Sequence, residues 1–281
     1  MRRCRAHKGG SAKTKADRKS SLFKIATDLH GLGYRLNSAK SLKPKHVDAL
    51  VEHWTAQGLS AGTMKNRMVH MRWWASEVNK ASVVAKSNTH YGIEHRSAYN
   101  GDRAQPLDHS KLESIPCPNV RLSVKLQSAF GLRREESILF IATYSDRGDH
   151  IRLKANWCKG KRARTVPVVN EEQRELLNEV KTHAQGRALI PDEKSLKDQI
   201  HTYEHQTLAA GFNNLHGLRH DYAQKRYQAL TGMPCRAQGG LFVRQMDEMS
   251  RERDYEARMI ISQELGHNRV SVTNAYLGPR R

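Results

Sequence analysis

Cysteine is scarce in this sequence, and its copies are far apart: Cys4, Cys117, Cys158 and Cys235. Because no C-x-x-C pair occurs, a disulfide framework or a thiolate zinc site is disfavoured, and a reducing compartment fits. No apolar run approaches the ~20 residues that span a bilayer, and the N-terminus lacks the apolar stretch of a secretory signal. We therefore expect a cytoplasmic protein with no membrane partner.

Acidic residues are few compared with basic ones: 28 Asp and Glu face 48 Lys and Arg, which gives a net charge of +20. A field of that sign attracts polyanions, and nucleic acid is the commonest polyanionic partner. Acidic membranes and ribosomal RNA are rival partners that charge alone does not separate. Aromatic residues make up only 6%, but 38% of the residues are hydrophobic. This composition is typical of a folded chain, and its length allows two domains.

Composition and periodicity divide the chain into segments. We predict a basic flexible arm over residues 1–19, a helical DNA-binding domain over 20–87, a linker over 88–106 and a second domain over 107–281. In the second domain, the strand-like runs His150-Ile-Arg-Leu and Thr165-Val-Pro-Val flank a loop of Lys, Gly and Arg, as in a hairpin. The predicted fold class is mainly α with a small β-sheet (α+β).

The third helix of the first domain has a methionine-rich apolar face. Its opposite face carries Lys65, Arg67 and Arg72. We predict that these three cations contact DNA; the alternative is a solvated surface.

Two motifs early in the second domain could present cations to a phosphate. In Gly131-Leu-Arg133-Arg134-Glu135-Glu136, a glycine turn delivers an arginine to a helix start, and a carboxylate follows three residues later on the same face. In Lys159-Gly-Lys161-Arg162-Ala-Arg164, a glycine-bearing turn can hold an ammonium group close to a phosphate. Each motif is weak alone.

Two further motifs lie towards the C-terminus. In His216-Gly-Leu-Arg219-His220, the first histidine and the arginine share a helical face. A metal pair of the two histidines is the alternative, but no H-E-x-x-H carboxylate lies between them. The other motif is Leu265-Gly-His267, followed nine residues later by Tyr276 on a short helix.

Taken together, G-L-R-x-x-E, H-x-L-R-H and L-G-H with a late tyrosine resemble the tyrosine recombinase (phage integrase) family. The motifs cover about residues 107–277, and the helical domain before them is similar to the family's core-binding domain by pattern. The resemblance implies a site-specific DNA recombinase. Tyr276 would attack the scissile phosphorus and form a 3′-phosphotyrosyl link that conserves the phosphodiester's energy. Arg133 and Arg219 would stabilise the phosphate charge, so no metal or other cofactor is expected.

The resemblance also implies roles for the remaining polar residues. Lys159 would donate a proton to the leaving 5′ oxygen, with Lys161 as the alternative, and His216 would accept the tyrosine proton. His267 would hydrogen-bond the phosphate, and Glu136 would orient its neighbours. Arg134 and His220 are expected to point elsewhere on their helices and are left out.

The family pattern further implies double-stranded DNA as partner, a homotetramer at synapsis, and accessory DNA-bending or directionality proteins. The sequence departs from it in a longer segment between Arg219 and His267, and in the few residues after Tyr276, which leave the coupling between protomers open. A type IB topoisomerase-like enzyme and a catalytically idle DNA-binding relative are the alternative functions. The target sequence, and the choice between integration, excision, resolution and cassette movement, stay open.

Overall fold

The computed structural model describes residues 10–94 and 99–280. The chain forms two compact units, residues 1–97 and residues 98–281. Within the described ranges, none of the helices combines the length and apolarity needed to cross a bilayer.

The regular structure in the described part of the first unit consists of helices. Its α-helices are α1 (Ala12–Gly31), α2 (Pro44–Ala56) and α3 (Ala61–Glu77), and short 3-10 turns cover Ala39–Ser41, Ala81–Val83 and Thr89–Tyr91. Around a central Trp54, apolar side chains from all three helices form one core, which Ile93 also joins. The first stretch of the predicted linker is thus packed onto this unit.

Helix α1 begins inside the segment predicted as a flexible arm. Ser11 is its N-cap, with a side-chain oxygen that accepts a hydrogen bond from the Thr14 N–H at 3.1 Å. Arg18 is buried, with its guanidinium carbon 4.0 Å from the Trp73 ring centroid. The predicted arm is therefore too long, since residues 12–19 belong to α1. These residues are basic and lack apolar periodicity, because Arg18 packs on this unit through its contact with an aromatic ring. Residues 1–9 lie outside the described residues.

The second unit combines helices with one hairpin. Its elements in chain order are α4 (His109–Glu113), α5 (Pro118–Phe130), α6 (Arg134–Ile138), α7 (Ala142–Ser145), β1 (His150–Leu153), β2 (Arg164–Pro167), α8 (Glu171–Ala184), α9 (Leu196–Ala209), α10 (His216–Thr231), α11 (Glu248–Glu264) and α12 (Val270–Leu277). The predicted class, mainly α with a small sheet, is confirmed.

Strands β1 and β2 pair antiparallel, and their register determines which side chains reach the interior. His150 lies opposite Pro167, and Leu153 lies opposite Arg164. Because strand side chains alternate between two faces, Arg164 shares the buried face with Val166. The hairpin thus delivers a guanidinium group into the interior of this unit.

Helix α10 lies at the centre of the second unit and packs against α5, α11 and α12. The backbone before α4 also reaches it, because the Gln105 N–H donates to the Gly217 carbonyl at 3.1 Å. A Cβ on Gly217 would lie 2.8 Å from the Arg103 carbonyl oxygen, so glycine permits this close approach. The end of the predicted linker is thus packed onto the start of α10, where the H-x-L-R-H motif lies.

Candidate active site

The turn between α5 and α6 fixes Arg133. Helix α5 ends at Gly131 with φ of +59°, and a Cβ there would meet the Tyr222 ring at 2.6 Å, so the position requires glycine. Arg133 is then the N-cap of α6, and its backbone N–H donates to Glu136 Oε2 at 2.7 Å. Its Nη1 also donates to Glu136 Oε1 at 2.8 Å. The same carboxylate therefore holds both the backbone and the side chain of this arginine.

Glu136 is also the partner of Arg164. Arg164 donates through Nη1 to Oε1 at 2.8 Å and through Nη2 to Oε2 at 2.6 Å, in the parallel geometry that suits a guanidinium and a carboxylate. The Glu136 side chain is 1% exposed. Burial by itself would raise the pKa of Glu136, but the hydrogen bonds and charge of Arg164, together with Arg133, lower it to about 2. Glu136 is thus an ionised carboxylate between two arginines.

The C-terminal end of α11 supplies acceptors for all three arginines of the site. The Leu265 carbonyl accepts from Arg133 Nη2 at 3.2 Å and from Arg219 Nη2, while the Glu264 carbonyl accepts from Arg164 Nε at 2.8 Å. The last carbonyls of a helix lack intrahelical donors and carry partial negative charge, so guanidinium groups are favourable there. This helix end brings together side chains from α6, β2 and α10.

Positive charge exceeds negative charge in this cluster. The guanidinium groups of Arg133 and Arg164 bind the carboxylate of Glu136, whereas Arg219 binds the Leu265 carbonyl. Burial, and then the charge of Arg133, lower the pKa of Arg219 to about 10, although the Tyr276 phenol acts to raise it. The surplus is what a bound anion, such as a phosphodiester, would neutralise.

Tyr276 lies against this cluster. Its phenol oxygen accepts a hydrogen bond from Arg219 Nε at 3.4 Å, and the side chain is buried at 7% exposure. The ring centroid is 4.7 Å from that of His220 and 6.2 Å from that of His216. Helix α12 thus places the Tyr276 phenol beside the guanidinium group of Arg219 on α10.

The two predicted histidines lie in the same region. Burial, and then the charges of Arg219 and Arg133, lower the pKa of His216. His267 Nε2 is 3.4 Å from Arg133 Nη2, and burial followed by the charge of Arg133 lowers the pKa of His267 to about 4. Both imidazoles are therefore predominantly neutral near pH 7 and able to accept a proton or a hydrogen bond.

The hairpin loop carries Lys159 at the second position of a turn in which the Lys161 N–H donates to the Cys158 carbonyl at 3.0 Å. Gly160 takes the left-handed position with φ of +80°. The Lys159 side chain is exposed, and its positive charge is one of the causes that lower the pKa of His267. Lys161 is exposed as well, and it has a positive φ of 53°.

Two residues of the site were missed by the sequence analysis, Arg164 and His220. The expectation that His220 points elsewhere is wrong, because its ring packs against Tyr276. Its i, i+4 spacing from His216 was the available signal, since such residues share a helical face. Burial, followed by the charge of His216, lowers the pKa of His220 to about 4. Arg134 does point to the surface, where it pairs with Glu204.

The predicted DNA-contact residues lie in the first unit, and two of them have internal partners. Arg67 Nη1 pairs with the buried Asp28 at 3.2 Å. Arg72 donates through Nε to the Ala85 carbonyl at 2.8 Å and through Nη2 to Asn88 Oδ1 at 2.7 Å. Lys65 is half-buried on the same helix. Arg67 and Arg72 therefore stabilise the unit, and DNA contact by all three stays a prediction.

The described residues contain no group of three or more His, Cys, Asp or Glu side chains arranged to hold a metal ion. The pair considered from sequence, His216 and His220, has ring centroids 5.4 Å apart with the planes at 78°.

Two family models match parts of this chain. Residues 1–83 match a family model described as phage integrase, N-terminal, and residues 111–225 match one described as integrase. No protein among the curated ones matches the chain. Together the two models cover most of the sequence, although the second ends before His267 and Tyr276.

Several solved structures share the fold. A lambda integrase dimer bound to a core site is 15% identical with a TM-score of 0.61, covering 98% of this chain and 92% of that one. The Tn1549 transposon integrase in complex with transposon right end DNA is 14% identical with a TM-score of 0.59 and the same coverages. The XerH site-specific recombinase bound to a palindromic difH substrate is 19% identical with a TM-score of 0.55, covering 91% of this chain and 72% of that one. At such identities the likeness shows the fold alone.

Proposed function

Because this chain belongs to the phage integrase family of tyrosine recombinases, we propose that it cleaves and rejoins DNA at specific sites with Tyr276 as the nucleophile. The family resemblance inferred from the motifs is confirmed by the two family models. In the proposed step, the phenol oxygen bonds to phosphorus as the bond from phosphorus to the 5′ oxygen breaks. A 3′-phosphotyrosyl link and a free 5′-hydroxyl result, and attack by a 5′-hydroxyl reverses the step.

The observation that carries the proposal is the unbalanced positive charge beside a buried tyrosine. Arg133 and Arg219 share the Leu265 carbonyl as acceptor, so their guanidinium groups lie close together, and Arg219 also reaches the Tyr276 oxygen. Two fixed guanidinium groups suit the non-bridging oxygens of a phosphodiester and the charge that develops on them in the transition state. A nucleophile held next to the same groups is close to that phosphorus.

Neighbouring groups can move the two protons that the step requires. The lowered pKa of His216 keeps its imidazole neutral and able to take the phenol proton. Lys159, on the hairpin loop, would give a proton to the leaving 5′ oxygen, with Lys161 as the alternative donor. His267, next to Arg133 Nη2, would hydrogen-bond a phosphate oxygen.

Duplex DNA and assembly follow from the same family assignment. The related structures include a lambda integrase dimer on a core site and a lambda integrase tetramer bound to a Holliday junction. We propose that this chain also binds duplex DNA, consistent with its net charge of +20, and that four copies form the synapse. Recruitment of DNA-bending or directionality proteins is part of the same proposal.

A substrate nicked close to the scissile bond tests the nucleophile. Cleavage releases a short strand that carries the new 5′-hydroxyl, and because this strand dissociates, the covalent product cannot be rejoined. We expect wild type to give a protein–DNA band that resists denaturation, and Tyr276→Phe to give none. Duplex affinity should stay within about twofold, since the phenol hydroxyl serves the reaction rather than binding. Tyr203→Phe, which removes a buried phenol hydrogen-bonded to Gln127 and far in sequence from Tyr276, is the matched control and should keep the adduct. An adduct formed by Tyr276→Phe would refute this assignment.

A further inference from the structure

The longer segment between Arg219 and His267 contacts the chain that follows Tyr276. Two short 3-10 turns of this segment, Arg236–Gln238 and Val243–Gln245, lie between α10 and α11. The Val243 N–H donates to the Arg280 carbonyl at 3.2 Å. Gly278 has φ of +81°, and a Cβ there would lie 2.8 Å from the Ala237 nitrogen. The insertion therefore packs closely against residues 278–280.

A buried carboxylate on α11 secures the same residues. Asp254 is 1% exposed and accepts three hydrogen bonds, each of 2.8 Å: from the Tyr227 hydroxyl and Arg258 Nε on Oδ1, and from Arg280 Nε on Oδ2. Burial would raise the pKa of Asp254, but the charge and hydrogen bond of Arg258 lower it. Asp254 thus ties the chain after the nucleophile to the helix that also bears the arginine-binding carbonyls.

Arg258 extends this network to α12 itself. Its Nη1 donates to the Gly278 carbonyl at 3.1 Å and lies 3.4 Å from both Thr273 Oγ1 and Asn274 Oδ1. The side chain is 2% exposed, and its charge is balanced by Asp254. Arg258 therefore contacts helix α12 on the side of its C-terminal end.

Helix α12 needs such support because it is only eight residues long and has no side-chain N-cap. Helices of this length are unstable on their own, so packing sets their orientation. We propose that Val243, Asp254 and Arg258, here named the C-terminal clamp, are positioning residues. They hold residues 278–280 against their own protomer and thereby keep the Tyr276 phenol beside Arg219. This inference rests on the proposed function of Tyr276.

Two variants loosen the clamp without touching the buried pair. Arg280→Ala removes one partner of Asp254, and the Arg280 side chain is 27% exposed, so the change leaves the core intact. Val243→Pro removes the N–H that binds the Arg280 carbonyl; it lies at the first position of a 3-10 turn after an extended residue, where proline is tolerated. Arg187→Ala is the matched control, because it removes an exposed Arg–Asp ion pair with Asp192 in the same unit.

Single-turnover adduct formation on the nicked substrate is compared with duplex affinity. We expect Arg280→Ala and Val243→Pro to slow adduct formation roughly tenfold, the factor given by loss of one charge-assisted or backbone hydrogen bond. Duplex affinity should stay at the value of Arg187→Ala. Arg280→Lys should recover part of the rate, and hydrogen exchange should accelerate in residues 270–278 more than elsewhere in the second unit.

Replacing the bridging 5′ oxygen by sulfur provides a readout specific to positioning, because a thiolate leaves without needing a proton. The rate deficit of Arg280→Ala should persist on that substrate, since the clamp acts on the nucleophile and not on the leaving group. Wild-type adduct rates in both variants, or a parallel loss of adduct, binding and thermal midpoint, would overturn the clamp. Absence of any adduct in the wild-type protein would instead refute the proposed function.

Discussion

Replacing Glu136 by Gln removes the carboxylate that binds Arg133 and Arg164 while keeping the shape of the side chain. The pKa of this group is lowered from 4.5 to about 2. At about 1.4 kcal/mol per pKa unit, the ionised form contributes about 3 kcal/mol to folding. We therefore expect Glu136→Gln to lower the free energy of unfolding of the second unit by about 3 kcal/mol, or roughly 100-fold in its opening equilibrium.

Hydrogen exchange measured by mass spectrometry suits this prediction because it separates the two units. Slow amides of α5 and α10 should lose protection in Glu136→Gln, whereas those of α2 and α3 provide an internal control. Since the folded pKa is depressed, the stabilisation is fully present above pH 4.5 and is lost as pH falls towards about 2. A change below about 1 kcal/mol at pH 7, or an equal loss in both units, would refute the view that arginines bind an ionised Glu136.

Three further predictions address the histidine, the lysines and the basic helix. The pKa of His220 is lowered from 6.5 to about 4, so the unfolded chain takes up a proton first and stability should fall as pH drops from 6.5 towards 4. His220→Phe keeps a ring against Tyr276 and should reduce this loss of stability in urea titrations. Lys159→Ala should slow adduct formation at least tenfold with an oxygen leaving group and recover with sulfur, whereas Lys161→Ala should do neither; the reverse pattern would assign the proton donor to Lys161. Lys65→Ala should reduce the salt dependence of DNA binding by about one counterion without changing stability. Arg67→Ala should lower the thermal midpoint through loss of its ion pair with Asp28, and equal midpoints in the two variants would contradict a structural role for Arg67.

Elements with a strong local signal could be predicted from the sequence. Glycine before Arg133 predicted a turn into a helix, and the structure has a left-handed Gly131 followed by α6. The hairpin was predicted with its first strand at His150, which is confirmed, and its second strand begins at Arg164, one residue before the predicted Thr165. Such features depend on neighbouring residues alone, and these are visible in the sequence.

The centre of the site depends instead on contacts between distant segments. Arg164 is one of several cations in the hairpin motif, and only the strand register turns its side chain towards Glu136. Likewise, Arg67 and Lys65 both lie opposite the apolar face of their helix, which predicts solvent exposure. Arg67 nevertheless pairs with Asp28 on another helix. A sequence pattern indicates that a residue is basic. Whether the cation is free to bind DNA is decided by the acceptors that the fold brings to it.

The most direct test of the account is to remove the charge of the scissile phosphate. A methylphosphonate lacks one anionic non-bridging oxygen, so a site that acts through surplus positive charge should need its arginines less on this substrate. Arg133 is suited to the comparison because its side chain is 22% exposed and can be changed with less disturbance than Arg219. Arg133→Ala should slow adduct formation by a factor of about 100 or more on the phosphodiester and by less than about tenfold on the methylphosphonate. Equal losses on both substrates would contradict the claim that the arginine cluster stabilises phosphate charge.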